Sequence, residues 1–411
     1  MKRHIFTVGI FFSIMLLSCQ QRSDKTVGEN WQWRGENRDG MYLNETGLLK
    51  QWAAGGPELL WKYEELGDGY SSVAIANGKL YITGFDDDNI VLFVFDLRGT
   101  LLKKRIVGKD WMQSYVGPRA TVNVNDGKLY IFNSLGTLFC LDEATLDEDW
   151  SVNVIENFEG RNVPWGFVEN PLIVGDKIFI TPGGELHNMI ALNKKSGALI
   201  WSSPGLGEIS SYCSPLFIDG YSVPIVVTNM DAHIIAFNAD TGEVLWSYPQ
   251  QRSWDGDNPN TPIYSNGMIF TTSGYRGGSM MFRLINGGRD IEPVWKNNVD
   301  NLMGGAIKVG NYLYLSGENY RGWFCVDWNT GEIKHRVQGE SASIVIYADE
   351  MLYVYTVRGD VNLVKPNPEM YELISSFEIT LGTNQHWAHP VIRDGVLYIR
   401  RGTALMAYKI K

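Results

Sequence analysis

One short strand motif recurs eight times along this chain and constrains its fold more than any other feature. Each copy has a small aliphatic and aromatic core, as in Leu80-Tyr81-Ile82, and most copies follow a turn with Gly or Asp. The copies lie 39 to 49 residues apart, with central positions at 81, 130, 179, 226, 270, 314, 353 and 398. This spacing, with no helical period of 3.6, is typical of four-stranded propeller blades. The sequence therefore predicts an all-β fold, an eight-bladed β-propeller of four-stranded antiparallel blades.

Residues 211–249 show the pattern of one blade most clearly. Segments 234–238 and 243–248 are rich in β-forming residues and flank a polar turn that ends in Gly242, which indicates a hairpin. Gly242 stands where a short loop needs a positive φ, which glycine adopts without steric cost. Segments 212–218 and 224–228 supply two more strands, so that this stretch predicts one complete sheet.

The two ends of the propeller are predicted to meet in one blade. Segment 58–64 reads as a single strand without a hairpin partner, whereas the last blade, at 389–409, has only three strands. We expect the first segment to supply the missing strand, because joining the first and last segments in one sheet removes the open edges that the ring would otherwise present there.

The composition and the amino terminus indicate an exported protein. Lys2-Arg3, an apolar run over 5–17 and Cys19 resemble a bacterial lipoprotein signal, with an ordinary secretory signal as the alternative. We predict a signal peptide at 1–18, a flexible tether at 19–30 and the propeller at 31–411. Lipidation of Cys19 would anchor the chain in the cell envelope. Gln20 favours the outer membrane, on its periplasmic or surface side.

Charge and cysteine content exclude several kinds of chemistry. A net charge of −10 makes nucleic acid an unsuitable partner. The cysteines other than Cys19 are Cys140, Cys213 and Cys325, and no CxxC or CxxCH motif occurs, so that zinc, haem c and thiol redox sites are not predicted.

Two repeats carry a resemblance to a known family. In 191–201 and 236–246, Ala, Gly and Trp stand at offsets 0, 6 and 10. This pattern resembles the tryptophan-docking repeat of PQQ-binding-like β-propeller repeat proteins, and segments 31–40, 164–172 and 181–184 are similar to that family as well. The resemblance implies that four tryptophans dock between blades: Trp150, Trp201, Trp246 and Trp295.

Two functions are compatible with this resemblance. The first is a lipid-anchored, non-catalytic module that binds an envelope protein or a small-molecule or carbohydrate ligand in its central funnel. The alternative is a dehydrogenase that oxidises an alcohol or sugar with PQQ and Ca²⁺. For that alternative, the resemblance makes Glu169 and Asn170 calcium-ligand candidates and Asp255 or Asp257 the catalytic base.

Candidate binding residues lie in the loops that precede the innermost strands, because such loops converge around the central channel of a propeller. These loops are rich in Trp, Tyr, Asp, Asn and His, which suit a sugar, a peptide or a quinone. The candidates are Tyr115, Arg119, Trp165, Glu169, Asn170, Tyr212, Trp254, Asn260, His386, Trp387 and His389.

Overall fold

The computed structural model describes residues 31–250, 257–303 and 305–411, and it contains the predicted ring of eight antiparallel sheets. Cys19, Trp254 and Asp255 lie outside the described residues. Two strands precede the first blade, β1 (Met41–Tyr42) and β2 (Glu58–Tyr63). A short helix, α1 (Val154–Phe158), lies between blades two and three, and a 3₁₀ turn (Asn286–Gly288) lies within blade five.

The blades follow one another in chain order. Blade one consists of β3 (Ala74–Ala76), β4 (Lys79–Asp86), β5 (Asn89–Asp96) and β6 (Leu101–Lys109), and blade two consists of β7 (Asn123–Asn125), β8 (Lys128–Phe132), β9 (Thr137–Asp142) and β10 (Glu148–Asn153). Blade three consists of β11 (Leu172–Val174), β12 (Lys177–Ile180), β13 (Ile190–Asn193) and β14 (Leu199–Ser202). Blade four consists of β15 (Leu216–Ile218), β16 (Ile225–Asn229), β17 (His233–Asn238) and β18 (Val244–Pro249).

Blade five consists of β19 (Ile263–Ser265), β20 (Met268–Ser273), β21 (Gly278–Ile285) and β22 (Asp290–Asn297). Blade six consists of β23 (Ile307–Val309), β24 (Tyr312–Gly317), β25 (Gly322–Asp327) and β26 (Ile333–Val337). Blade seven contains β27 (Ser343–Ala348), β28 (Met351–Thr356), β29 (Asp360–Lys365) and β30 (Glu372–Glu378). Blade eight contains β31 (Val391–Arg393), β32 (Val396–Arg401) and β33 (Ala404–Lys409), and its outermost strand is β2.

The pairing of β2 with β33 confirms the predicted closure of the ring. The two strands are antiparallel, with Glu58 opposite Lys409 and Tyr63 opposite Leu405. The buried Arg400 of β32 strengthens the junction between blades eight and one, because its guanidinium donates to Ser71 Oγ and Thr83 O, both at 2.6 Å. The first and last segments of the chain therefore close the fold together.

Tryptophans on the outermost strands pack against glycines of the following blade. A Cβ built on Gly197 would lie 2.7 Å from the Trp150 ring, and one on Gly242 would lie 2.5 Å from Trp201. Trp201 Nε1 also donates to Ala239 O at 3.1 Å. Any side chain at these glycines would displace the ring, so that glycine is required in the turn and fixes the spacing of adjacent blades.

The same contact joins Trp295 to Gly331 and Trp61 of β2 to Gly99. Trp246 packs instead into an apolar cluster that includes Phe282 and Leu284 of blade five. All of these tryptophans lie between blades rather than at the channel.

The segment at 31–40, which we call the channel segment, lies inside the ring. Val124 N of blade two donates to Trp31 O at 2.9 Å. Arg34 donates to Ala306 O at 3.2 Å and to Val345 O at 3.4 Å, on blades six and seven. Because the segment contacts innermost strands from different sides of the ring, it occupies the central channel.

The channel segment leaves the ring along blade seven, where β1 pairs in parallel with β27 as a fifth strand. The repeat pattern predicts four strands in every blade and does not predict this pairing. A two-residue strand has too little periodicity to be recognised. No helix in the described parts of the chain is long and apolar enough to cross a membrane.

Candidate functional site

The channel segment separates two cavities. The first, which we call the funnel, has a volume of about 590 Å³ and lies where the innermost strands begin. The second, the lower cavity, has a volume of about 790 Å³ and lies where those strands end. Trp33 lines the funnel, whereas Trp31 and Glu36 line the lower cavity. Both volumes fall in the range of about 300–1,000 Å³ that is typical of ligand sites.

Four aromatic side chains form a continuous wall on one side of the funnel. The centroid of the Trp387 ring lies 5.4 Å from that of Tyr70 and 4.7 Å from that of Tyr115, and Tyr115 lies 6.0 Å from Trp165. Tyr115 is 41% and Trp165 is 39% exposed. These loops lead into blades one, two, three and eight, and they form a surface, the aromatic wall, on which planar or apolar groups can stack.

Arg119 holds the Tyr115 loop in position. Its guanidinium donates to Ser114 O at 2.8 Å, Tyr115 O at 2.9 Å and Ser134 Oγ at 3.1 Å. Tyr115 has a φ of 49°, a left-handed conformation that costs a non-glycine residue about 1–2 kcal/mol. Burial lowers the pKa of Arg119, with Asp110 acting in the opposite direction. The sequence position of Arg119 predicts a binding residue, whereas its contacts give it a positioning role.

The floor of the funnel is Trp33, which packs edge-on against His389 with ring centroids 5.1 Å apart. His389 Nδ1 lies 3.2 Å from Nη1 of Arg34. Because a guanidinium only donates, Nδ1 accepts this hydrogen bond. Burial, followed by the charge of Arg34, lowers the pKa of His389 well below its usual value, so that the ring is neutral.

The side of the funnel facing the aromatic wall is aliphatic and acidic. Leu302, Met303, Ala342 and Val357 provide the apolar surface, and Glu318 adds a half-buried carboxylate. Burial and the charge of Asp300 raise the pKa of Glu318, with Arg321 opposing them. Asp300 shapes the adjacent turn by accepting from the backbone N–H groups of Arg276, Asn319 and Tyr320.

The structure places seven predicted residues on the funnel and four away from it. The lining residues are Tyr115, Arg119, Trp165, Tyr212, Asp257, Trp387 and His389. Glu169, Asn170, Asn260 and His386 are buried in hydrogen-bond networks behind that surface. Asn260 Nδ2 donates to Thr272 O and Asn301 O, and His386 Nδ1 lies 2.7 Å from Tyr355 Oη.

Trp33, Tyr70 and Glu318 line the funnel but were not predicted from the sequence. Segment 31–40 had a family resemblance, but nothing in the sequence placed Trp33 inside the ring. Glu318 lies in a turn between the second and third strands of blade six, whereas the predicted site residues lie in loops that precede innermost strands. Its position next to a glycine turn gave no signal of a cavity.

Glu169 and Asn170 do not fit a calcium site. Glu169 is fully buried, and both of its carboxylate oxygens accept hydrogen bonds from Thr181. Asn170 Oδ1 accepts from Thr121 N at 2.6 Å, while the buried Arg38 guanidinium donates to Asn170 O. Calcium needs six or more oxygen ligands, and a neighbouring guanidinium disfavours a second cation. In the described residues, no group of three or more His, Cys, Asp or Glu side chains could hold a metal ion.

The buried Glu169 should make the stability of the folded protein depend on pH. Burial raises its pKa to about 7, so the folded state binds a proton more strongly than the unfolded state does. Stability from this group is greatest below its unfolded pKa of about 4.3 and falls as pH rises through 7. We expect the free energy of unfolding of Glu169→Gln, taken relative to that of wild type, to rise by on the order of 2 kcal/mol from pH 5 to pH 8. Urea unfolding at the two pH values measures this change. Glu332→Gln, at an exposed carboxylate, should show no such change. An equal effect of Glu169→Gln at both pH values would contradict the assignment.

The repeated blades, the docked tryptophans and the closing strand define a PQQ-like β-propeller protein. The family model described as outer membrane protein assembly factor BamB matches residues 104–337, more than half of the chain. The chain belongs to this family.

Curated relatives represent two kinds of protein. Outer membrane protein assembly factor BamB of Shewanella oneidensis is 27% identical over 184 residues, which is 44% of this chain and 42% of that protein. Quinoprotein ethanol dehydrogenase of Pseudomonas aeruginosa is 26% identical over 146 residues, which is 32% of this chain and 23% of that protein. Each match spans less than half of the relative's own length.

Solved structures show the same fold at low identity. BamB from Moraxella catarrhalis has a TM-score of 0.64 and 14% identity, covering 86% of this chain and 98% of that one. Quinohemoprotein alcohol dehydrogenase from Comamonas testosteroni has a TM-score of 0.65 and 13% identity, covering 93% of this chain and 80% of that one. At this identity the likeness concerns the fold alone.

Proposed function

We propose that this chain is a non-catalytic protein-interaction module of the cell envelope that contributes to outer-membrane protein assembly. Membership of the BamB family supports the process and the location. The aromatic wall carries the proposal for the site, because it exposes large rings at the mouth of a cavity of ligand size. The bound group is an extended segment of an envelope protein.

The side chains around the funnel favour binding over chemistry. Arg119 uses its donors to hold a loop, and His389 accepts a hydrogen bond from Arg34. A general base must be free to reach a substrate proton, and these contacts leave His389 committed to the channel segment. The aromatic and aliphatic surfaces, by contrast, are open to a ligand.

An extended β-barrel strand suits this cavity. Strands of outer-membrane barrels alternate apolar and polar residues and carry aromatic residues near both membrane interfaces. Aromatic pairs in contact contribute about 0.5–1.5 kcal/mol beyond the apolar area that they bury. Trp165 and Tyr115 can supply such contacts without sequence-specific hydrogen bonds, which suits a module that handles many different chains.

Site-specific crosslinking tests this proposal. A photoreactive phenylalanine analogue in place of Trp165 should form adducts with an envelope protein in intact cells of the native host. The same analogue in place of Leu199, an exposed residue on the outermost strand of blade three, serves as the matched control. Adducts from position 199 with none from position 165 would place the interaction on the outer rim and refute a role for the funnel.

We also propose that lipid on Cys19 anchors the chain to the outer membrane. Trp31, the first described residue, lies in the lower cavity, at the end of the channel opposite the funnel. This arrangement supports a funnel that faces away from the anchored surface. Cys19→Ser should move the protein from the membrane fraction to the soluble fraction. If the variant remained with the membranes after carbonate washing, the proposed lipid anchor at Cys19 would be wrong.

The second candidate is a PQQ- and Ca²⁺-dependent dehydrogenase acting on an alcohol or sugar. Similarity to the quinoprotein ethanol dehydrogenase favours it, and Asp257, its candidate base, lines the funnel. The engaged oxygens of Glu169 and Asn170 disfavour it. PQQ is a tricarboxylate, and the acidic funnel with its committed Arg119 offers such an anion little attraction.

A further inference from the structure

Glu318 is a cavity-lining carboxylate without a partner in the described part of the chain. It follows β24 in blade six, and its half-buried side chain lines the funnel. Its carboxylate makes no hydrogen bond or ion pair with any described residue. Carboxylates that lose water on burial are stabilised by an opposite charge, which makes Glu318 a potential contact for a bound cation.

The groups around Glu318 reinforce this preference for a cation. Asp300 lies close enough to raise the pKa of Glu318, and its own oxygens already accept backbone N–H groups. Arg321 acts in the opposite direction but does not line the funnel. Among the described lining residues, Arg119 is the one arginine or lysine, and its guanidinium donates to Ser114 O, Tyr115 O and Ser134 Oγ.

Glu318 and the aromatic wall lie on opposite sides of the ring. The blades follow one another in order, and β2 closes the circle, so that blade six lies across the channel from blade two. Tyr115 and Arg119 precede the first strand of blade two, whereas Glu318 belongs to blade six. A ligand that spans the funnel would therefore contact aromatic rings at one end and a carboxylate at the other.

We infer that the funnel binds an extended peptide segment in which a lysine or arginine lies beside aromatic or aliphatic residues, with the cation at Glu318 and the apolar side chains on the aromatic wall. This inference rests on the proposed function, since it specifies the chemistry of the segment that the funnel would take. A charge-assisted hydrogen bond forms between the ammonium or guanidinium group and the carboxylate. The charge of Glu318 also disfavours acidic segments.

Three short capped peptides that differ at one central residue test the inference. Tyrosine and threonine flank the central residue, which is lysine, norleucine or glutamate. Affinity is measured by quenching of tryptophan fluorescence in the full chain. We expect the lysine peptide to bind about tenfold more tightly than the norleucine peptide at low salt, and the glutamate peptide to bind most weakly.

Two variants separate this inference from the proposed function. Glu318→Gln should abolish the difference between the lysine and norleucine peptides, whereas the control Glu332→Gln should retain it. Trp165→Ala should weaken all three peptides, with affinity read by calorimetry. Equal binding of lysine and norleucine peptides to wild type, with loss in Trp165→Ala, would refute the charge preference but leave the funnel as a peptide site. Failure of all three peptides to bind wild type would refute both.

Discussion

Replacement of Trp246 by alanine is expected to lower the free energy of unfolding by about 3–5 kcal/mol. The side chain is buried in a cluster that joins blade four to Phe282 and Leu284 of blade five. Its removal would leave a cavity between the two blades. The blades cannot approach each other to fill this cavity, because the closed ring fixes their spacing. Urea unfolding followed by circular dichroism measures this loss.

Trp165→Ala is the matched control, because Trp165 is more than one-third exposed at the funnel. We expect that variant to lose about 1 kcal/mol or less. If Trp246→Ala were as mild as Trp165→Ala, Trp246 would not lie between blades.

Replacement of Arg34 by methionine should be the second large perturbation, at about 3 kcal/mol. The buried guanidinium donates to Ala306 O, Val345 O and Asp39 O, at 2.9 to 3.4 Å. Each buried acceptor that loses its partner costs about 1 kcal/mol or more, while methionine keeps much of the apolar volume. The loss should also release Trp33 from the floor of the funnel.

The control for Arg34 is Arg283→Met, at an exposed arginine that pairs with Glu292 on the same blade. Surface pairs of this kind contribute about 0–1 kcal/mol. Urea unfolding measures stability, and near-UV circular dichroism reports the environment of Trp33. An Arg34→Met variant as stable as Arg283→Met would show that the channel segment is not anchored by its arginine.

The blade count and ring closure could be predicted from the sequence, because each depends on local patterns. Turn glycines such as Gly242 and strand cores such as Leu352-Tyr353-Val354 specify hairpins, in which the paired strands are close together in the sequence. Closure followed from counting strands, since β2 had no neighbour and the last blade lacked one.

The channel segment could not be predicted in the same way. Its position depends on contacts between Arg34 and residues about 270 to 311 positions away in the chain. No short-range pattern encodes such contacts. The sequence therefore assigned Trp33 to a family motif and gave no sign that it forms the floor of a cavity.

The loop aromatics show how far site prediction could go. Trp165 and Trp387 were identified because they precede innermost strands, and the structure places both on the funnel. Glu169 precedes an innermost strand as well, but its side chain turns toward Thr181 within its own blade. Sequence position determines which end of the propeller a loop occupies, whereas packing determines whether a side chain faces the channel.

A funnel that binds a protein segment and performs no quinone chemistry should not respond to PQQ. Purified protein should be titrated with PQQ and Ca²⁺ while its melting temperature and reduction of an electron-accepting dye by alcohols and sugars are measured. A ligand that binds the folded state stabilises it in proportion to the logarithm of its concentration above Kd. We expect an unchanged melting temperature and no dye reduction; saturable stabilisation accompanied by turnover would refute the proposed function.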